Sequence, residues 1–75
     1  MVTLDDILDR LDSYGVHEWN VMQGSRSPVV IVCEYDNRQN YWASLIWDAL
    51  TDLLNEGDFT IIVEEDYIDV EIHTL

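Results

Sequence analysis

Residues 38–55 read RQNYWASLIWDALTDLLN, and this stretch sets the class of the fold. Placed at 100° per residue, Trp42, Ile46, Ala49, Leu50 and Leu53 fall on one stripe, the pattern of a helix laid on a core. Leu54 and Trp47 extend the stripe on one flank, Leu45 and Tyr41 on the other, so the apolar face is wider than a single sheet needs. Gly57 reads as the C-terminal stop.

Outward from this helix the period changes from 3.6 to 2. Downstream, Asp58 to Glu64 reads as a strand with Phe59, Ile61 and Val63 on one side. Glu65-Asp66 is a tight turn. Tyr67 to His73 is a further strand, with Ile68, Val70 and Ile72 inward and Tyr67, Asp69, Glu71 and His73 outward. Upstream, Asp36 to Asn40 is a polar break. Val29 to Tyr35 is a continuous apolar strand, expected in the middle of the sheet and covered on both faces over part of its length. Gly24 to Pro28 is a turn, and His17 to Gln23 is a half-buried strand with Trp19 and Val21 opposite Glu18, Asn20 and Met22. At the start, Thr3 followed by Asp6 has the form of a helix N-cap with an acidic third residue. Leu4, Ile7, Leu8, Leu11 and Tyr14 recur at helical spacing until Gly15.

The order is αββαββ in one compact α+β domain spanning residues 1–75. Short connections favour two hairpins joined by a right-handed helical crossover. The expected architecture is a mixed four-stranded sheet with both helices on one face. The other face then shows Tyr67, Asp69, Glu71, His73 and Glu64 to solvent.

Charge narrows function more than any motif does. The chain has 16 Asp and Glu against 3 arginines and no lysine, a formal charge of −13 on 75 residues. Such a charge works against the compact state unless a basic partner or high salt offsets it. With 48% apolar and 11% aromatic residues the chain is far from an acidic disordered tail. Direct binding to nucleic acid is excluded in practice, because phosphate affinity depends on Lys and Arg contacts that release counterions.

The opening residues Met1 to Asp6 carry neither a basic segment nor an apolar run and do not read as a signal peptide. The longest apolar stretch, Val29 to Cys33, is too short to span a bilayer. A cytoplasmic protein without membrane contact is expected, inside the host cell if phage-encoded. Cys33 has no partner for an internal disulfide, and one thiol with two distant histidines falls short of a zinc site. Within an apolar strand a thiol is an inert filler. No serine lies in a nucleophile elbow, and no acidic run has the spacing of a calcium loop. His17 and His73 read as strand-end residues on solvated faces. No catalytic residue, cofactor or metal is assigned.

What remains is a surface for a partner. Asp5, Asp9 and Asp12 make an acidic ridge along the first helix, rising about 6 Å between the first two. Asp12 lies near the helix C-terminus, where the macrodipole disfavours it. Glu64, Asp69 and Glu71 supply a second acidic face on the sheet. Tyr67 and Trp47 stand ready as apolar anchors, since exposed aromatics amid charge are where interface hot spots occur. In size, acidity and α+β order the chain resembles small phage-encoded inhibitors of restriction and CRISPR complexes, and some bacterial immunity proteins. That resemblance implies a non-enzymatic inhibitor that mimics nucleic acid and blocks a basic nucleic-acid-binding surface of a larger protein. The rival expectation is a structural domain of a salt-loving cell that self-associates, as a homodimer, through its broad apolar helix face.

Overall fold

A computed structural model describes residues 2–23, 29–34 and 39–74. Along the chain lie α1 (Leu4–Ser13), β1 (Trp19–Gln23), β2 (Val29–Glu34), α2 (Gln39–Thr51), a short 3-10 turn (Glu56–Asp58), β3 (Phe59–Val63) and β4 (Tyr67–Ile72). The expected turn at Gly24 to Pro28, together with Tyr35 to Arg38, lies outside the described residues.

Local chemistry starts and stops α1 as its sequence predicts. The Thr3 hydroxyl accepts from the Asp6 amide at 3.2 Å, and the Asp6 carboxylate accepts from the Thr3 amide at 2.9 Å, closing a capping box. At the other end Gly15 adopts φ +87°, a left-handed conformation that glycine reaches without a Cβ penalty. This turns the chain so that the amides of Gly15 and Val16 reach the carbonyls of Asp12 and Leu11 at 3.0 and 2.9 Å. Two carbonyls left over at the helix end are thereby satisfied.

The α+β class and the order αββαββ are as read from the sequence, and one feature of the sheet is corrected. Strand order is β1-β2-β4-β3 and every neighbouring pair is antiparallel, so the sheet is not mixed. β2 and β3 do run parallel, as a helical crossover requires, but β4 folds back and inserts between them. It thereby gains hydrogen bonds on both edges. Registers place Ile31 opposite Val70 and Val70 opposite Ile61, with Cys33 opposite Ile68 one step along.

Both helices cover the face that carries these residues. Ile7 and Leu11 of α1, Ile46, Ala49 and Leu50 of α2, Ile31 and Cys33 of β2, and Ile68, Val70 and Ile72 of β4 are fully buried together with Val16. Leu54 and Phe59 close the same core. No charged or polar residue is buried with them among the described residues. β2 sits mid-sheet as expected, but helices cover only one of its faces: Val30 and Val32, on the other, are half-buried by their neighbours in the sheet.

α2 is shorter than the apolar stripe implies. It ends at Thr51, not Asn55, where the Thr51 hydroxyl donates back to the Trp47 carbonyl at 2.9 Å. The amides of Leu53 and Leu54 both turn onto the Leu50 carbonyl. Gly57 is no helix stop. It lies inside the 3-10 turn, which the Asp58 carboxylate secures by accepting from the Asn55 amide at 2.9 Å.

Candidate functional site

Because both helices take one face, no described element lies over the other face of the sheet. Its residues follow from the registers. Asn20, Val32, Asp69 and Ile62 form one row across all four strands, and Met22, Val30, Glu71 and Thr60 the next. Glu34 lies opposite Tyr67, whose carbonyl in turn accepts from the Glu64 amide at 2.9 Å. The sequence-predicted residues Glu64, Tyr67, Asp69 and Glu71 are therefore brought together on one surface. Three of them stand on β4, about 6.6 Å apart.

The composition of this surface is unusual for a solvated face. Met22 is 60% exposed, Tyr67 39% and Ile62 38%. Asp69, by contrast, is half-buried between Val32 and Ile62 on the flanking strands, and Glu71 is half-buried between Val30 and Thr60. A carboxylate in that setting is partly stripped of water and gains more from a cation than one standing free in solvent. His73, also expected on this face, is pinned there, its Nε2 lying 2.8 Å from the Thr60 hydroxyl.

The acidic ridge of α1 lies elsewhere. Asp5, Asp9 and Asp12 are all exposed, on the side of α1 opposite Ile7 and Leu11. As α1 belongs to the helical layer, its ridge and the open sheet face look in opposite directions, and one flat partner cannot touch both. Asp12 is engaged at home, its Oδ1 lying 3.1 Å from His17 Nδ1. Trp47, 40% exposed, belongs to neither surface. It leans edge-on against Phe59 with ring centres 5.3 Å apart, beside a cleft between α2 and β3 lined by Asn40, Ala43, Ser44, Asp48 and Ile61.

Arg10 is the arginine of the described residues, and it is spent on structure. Its guanidinium lies 3.2 Å from Asp52 Oδ2, the oxygen that also accepts from the Tyr14 hydroxyl at 2.5 Å. This joint ties α1 to the turn after α2. It raises the Tyr14 pKa above its ordinary value, chiefly because the hydrogen bond to Asp52 favours the protonated phenol. At the N-cap the Thr3 amide, assisted by its hydroxyl, holds the Asp6 carboxyl below its ordinary value.

Cys33 is buried, away from any solvent approach. No group of three or more metal-ligating side chains gathers among the described residues, and no helix among them is long and apolar enough to cross a membrane. No protein-family model, curated protein or solved structure matches the chain.

Sequence reasoning found the β4 residues of the open face but missed Met22, Val30, Val32 and Ile62. For Met22 the signal was present, since alternation sets it opposite Trp19 and Val21. For Val30 and Val32 it was absent: an unbroken apolar run gives no phase from which to tell an uncovered face from a covered one.

Proposed function

We propose that the protein is a non-enzymatic binding protein that docks, through the open face of its sheet, on a basic nucleic-acid-binding surface of a larger protein and blocks access to it. The observation that carries this reading is the pairing of half-buried Asp69 and Glu71 with exposed Met22, Ile62 and Tyr67 on a chain of charge −13. Lysine or arginine side chains of the partner would meet the carboxylates of Glu34, Glu64, Asp69 and Glu71, while the apolar residues exclude water around them. Asp5, Asp9 and Asp12 lie on the far side, so their part is the long-range field that speeds encounter. Imitation of nucleic acid in this sense means occupying the same cationic site. It does not require copying a duplex, which carries one charge per roughly 1.7 Å of axis.

The test begins with capture from a cell lysate at low salt, elution by rising salt, and measurement of nucleic-acid binding by what elutes. The reading expects a nucleic-acid-binding protein whose substrate is displaced by the wild type. The Asp69→Asn/Glu71→Gln double variant should associate at least roughly tenfold more weakly, and Asp5→Asn/Asp9→Asn should act mainly on the association rate. Retention of full blocking by the sheet variant, or a captured protein that still binds its nucleic acid normally, overturns the proposal.

A further inference from the structure

β3 is an edge strand, paired only with β4 among the described strands. The Glu64 amide bonds the Tyr67 carbonyl and the His73 amide bonds the Asp58 carbonyl. Since antiparallel ladders alternate, Thr60 and Ile62 aim their backbone groups at β4, and the N–H and C=O groups of Phe59, Ile61 and Val63 point outward from the sheet. Edge strands of natural proteins are commonly guarded by a lysine, a proline or an inward charge. Phe59–Val63, reading FTIIV, has none of these within it.

Its guards stand at the ends instead, and they discriminate between partners. If β3 paired antiparallel with a second copy of itself about Ile61, Asp58 would face Glu64 at both ends. Like charges directly opposite are destabilising. An incoming strand with a basic residue at each of those positions meets attraction in the same geometry. The residue opposite Ile61 would point to the helical side, into the cleft where Ala43 and Ile61 offer an apolar floor, the Trp47 ring is 40% exposed and Asp48 supplies a negative charge. An arginine fits that place, its stem on the apolar floor and its guanidinium between ring and carboxylate.

We infer that the outer edge of β3 is a strand-addition site for an extended segment of a cationic partner, basic at both ends and bearing an arginine midway that lies in the cleft between α2 and β3. This deepens the proposed docking on a basic protein and rests on it. Main-chain hydrogen bonds supply the affinity and the cleft the selectivity.

The probe is a synthetic peptide, Lys-Thr-Val-Arg-Val-Thr-Lys, beside the same peptide methylated on the amides of its second, fourth and sixth residues. Methylation keeps every charge and removes the donors facing Phe59, Ile61 and Val63. The inference expects the first peptide to bind and to slow hydrogen exchange at the amides of those three residues. The methylated peptide should bind at least roughly tenfold more weakly. Asp48→Asn should weaken the arginine peptide several-fold and leave a version with valine in place of arginine unaffected. Equal affinity for the two peptides, no binding, or no protection at the three amides overturns strand addition. The displacement of nucleic acid from a captured partner, read separately, can still hold in that case. Protection that rises with protein concentration and no peptide would give the edge to a second copy and likewise overturn it.

Discussion

The Thr3 hydroxyl satisfies an amide that α1 would otherwise leave without a partner. Thr3→Ala is therefore expected to cost about 1 kcal/mol, read as a shifted urea midpoint with unchanged slope. The carboxylate that answers it gives a pH signature. Asp6 has its pKa depressed in the folded chain, so its contribution is present above the unfolded value near roughly 4 and is lost as pH falls through the folded one. Asp6→Asn should flatten that part of the acid limb in stability measured against pH. Tyr14 carries the opposite sign. Its folded pKa is raised, so the unfolded chain releases the proton first and stability is lost as pH climbs above roughly 10. Tyr14→Phe should remove that alkaline slope while keeping the ring packed, and an unchanged slope would show that the bond to Asp52 does not survive in solution. Cys33, fully buried, should react with a thiol reagent only at the rate at which the domain opens.

α1 is held by Ile7 and Leu11 and by the Arg10–Asp52–Tyr14 joint, whose ion pair is about 40% exposed on both sides and so contributes at most about 1 kcal/mol. The apolar contacts dominate. Leu11→Ala should cost about 2–5 kcal/mol, whereas Arg10→Gln should barely move the denaturation midpoint. The same contrast explains how much could be read from the chain. Elements whose signal is local were legible: the Thr3–Asp6 box, the Gly15 stop, and the alternation of Ile68, Val70 and Ile72 in β4. Elements whose limits depend on tertiary contact were not. α2 stops at Thr51 because the chain must turn towards the 3-10 segment and β3, although Leu53 and Leu54 continue its apolar pattern. The position of β4 between β2 and β3 follows from competition for backbone partners across the sheet, which no window of sequence records. The candidate surface was half legible for that reason, its β4 residues by phase and its β2 residues only once the uncovered face was known.

For the whole molecule, the charge of −13 makes stability and association respond oppositely to salt. Added salt screens the repulsion within the domain and should raise its melting temperature, while it slows association with a basic partner. A thermal melt in dilute buffer separates the two explanations of the acidity. A binding protein should already be folded there, and a domain adapted to a salt-rich cell should require molar salt. Such a requirement would sink the docking proposal at its base. The placement of β4 carries one more implication, for biogenesis. Among the described strands β4 is the last that the ribosome delivers, yet it is the plank to which both halves of the sheet are nailed. Until it emerges, β2 and β3 each present a bare flank, so the nascent chain has no stable halfway house and the domain must mature in a single late step.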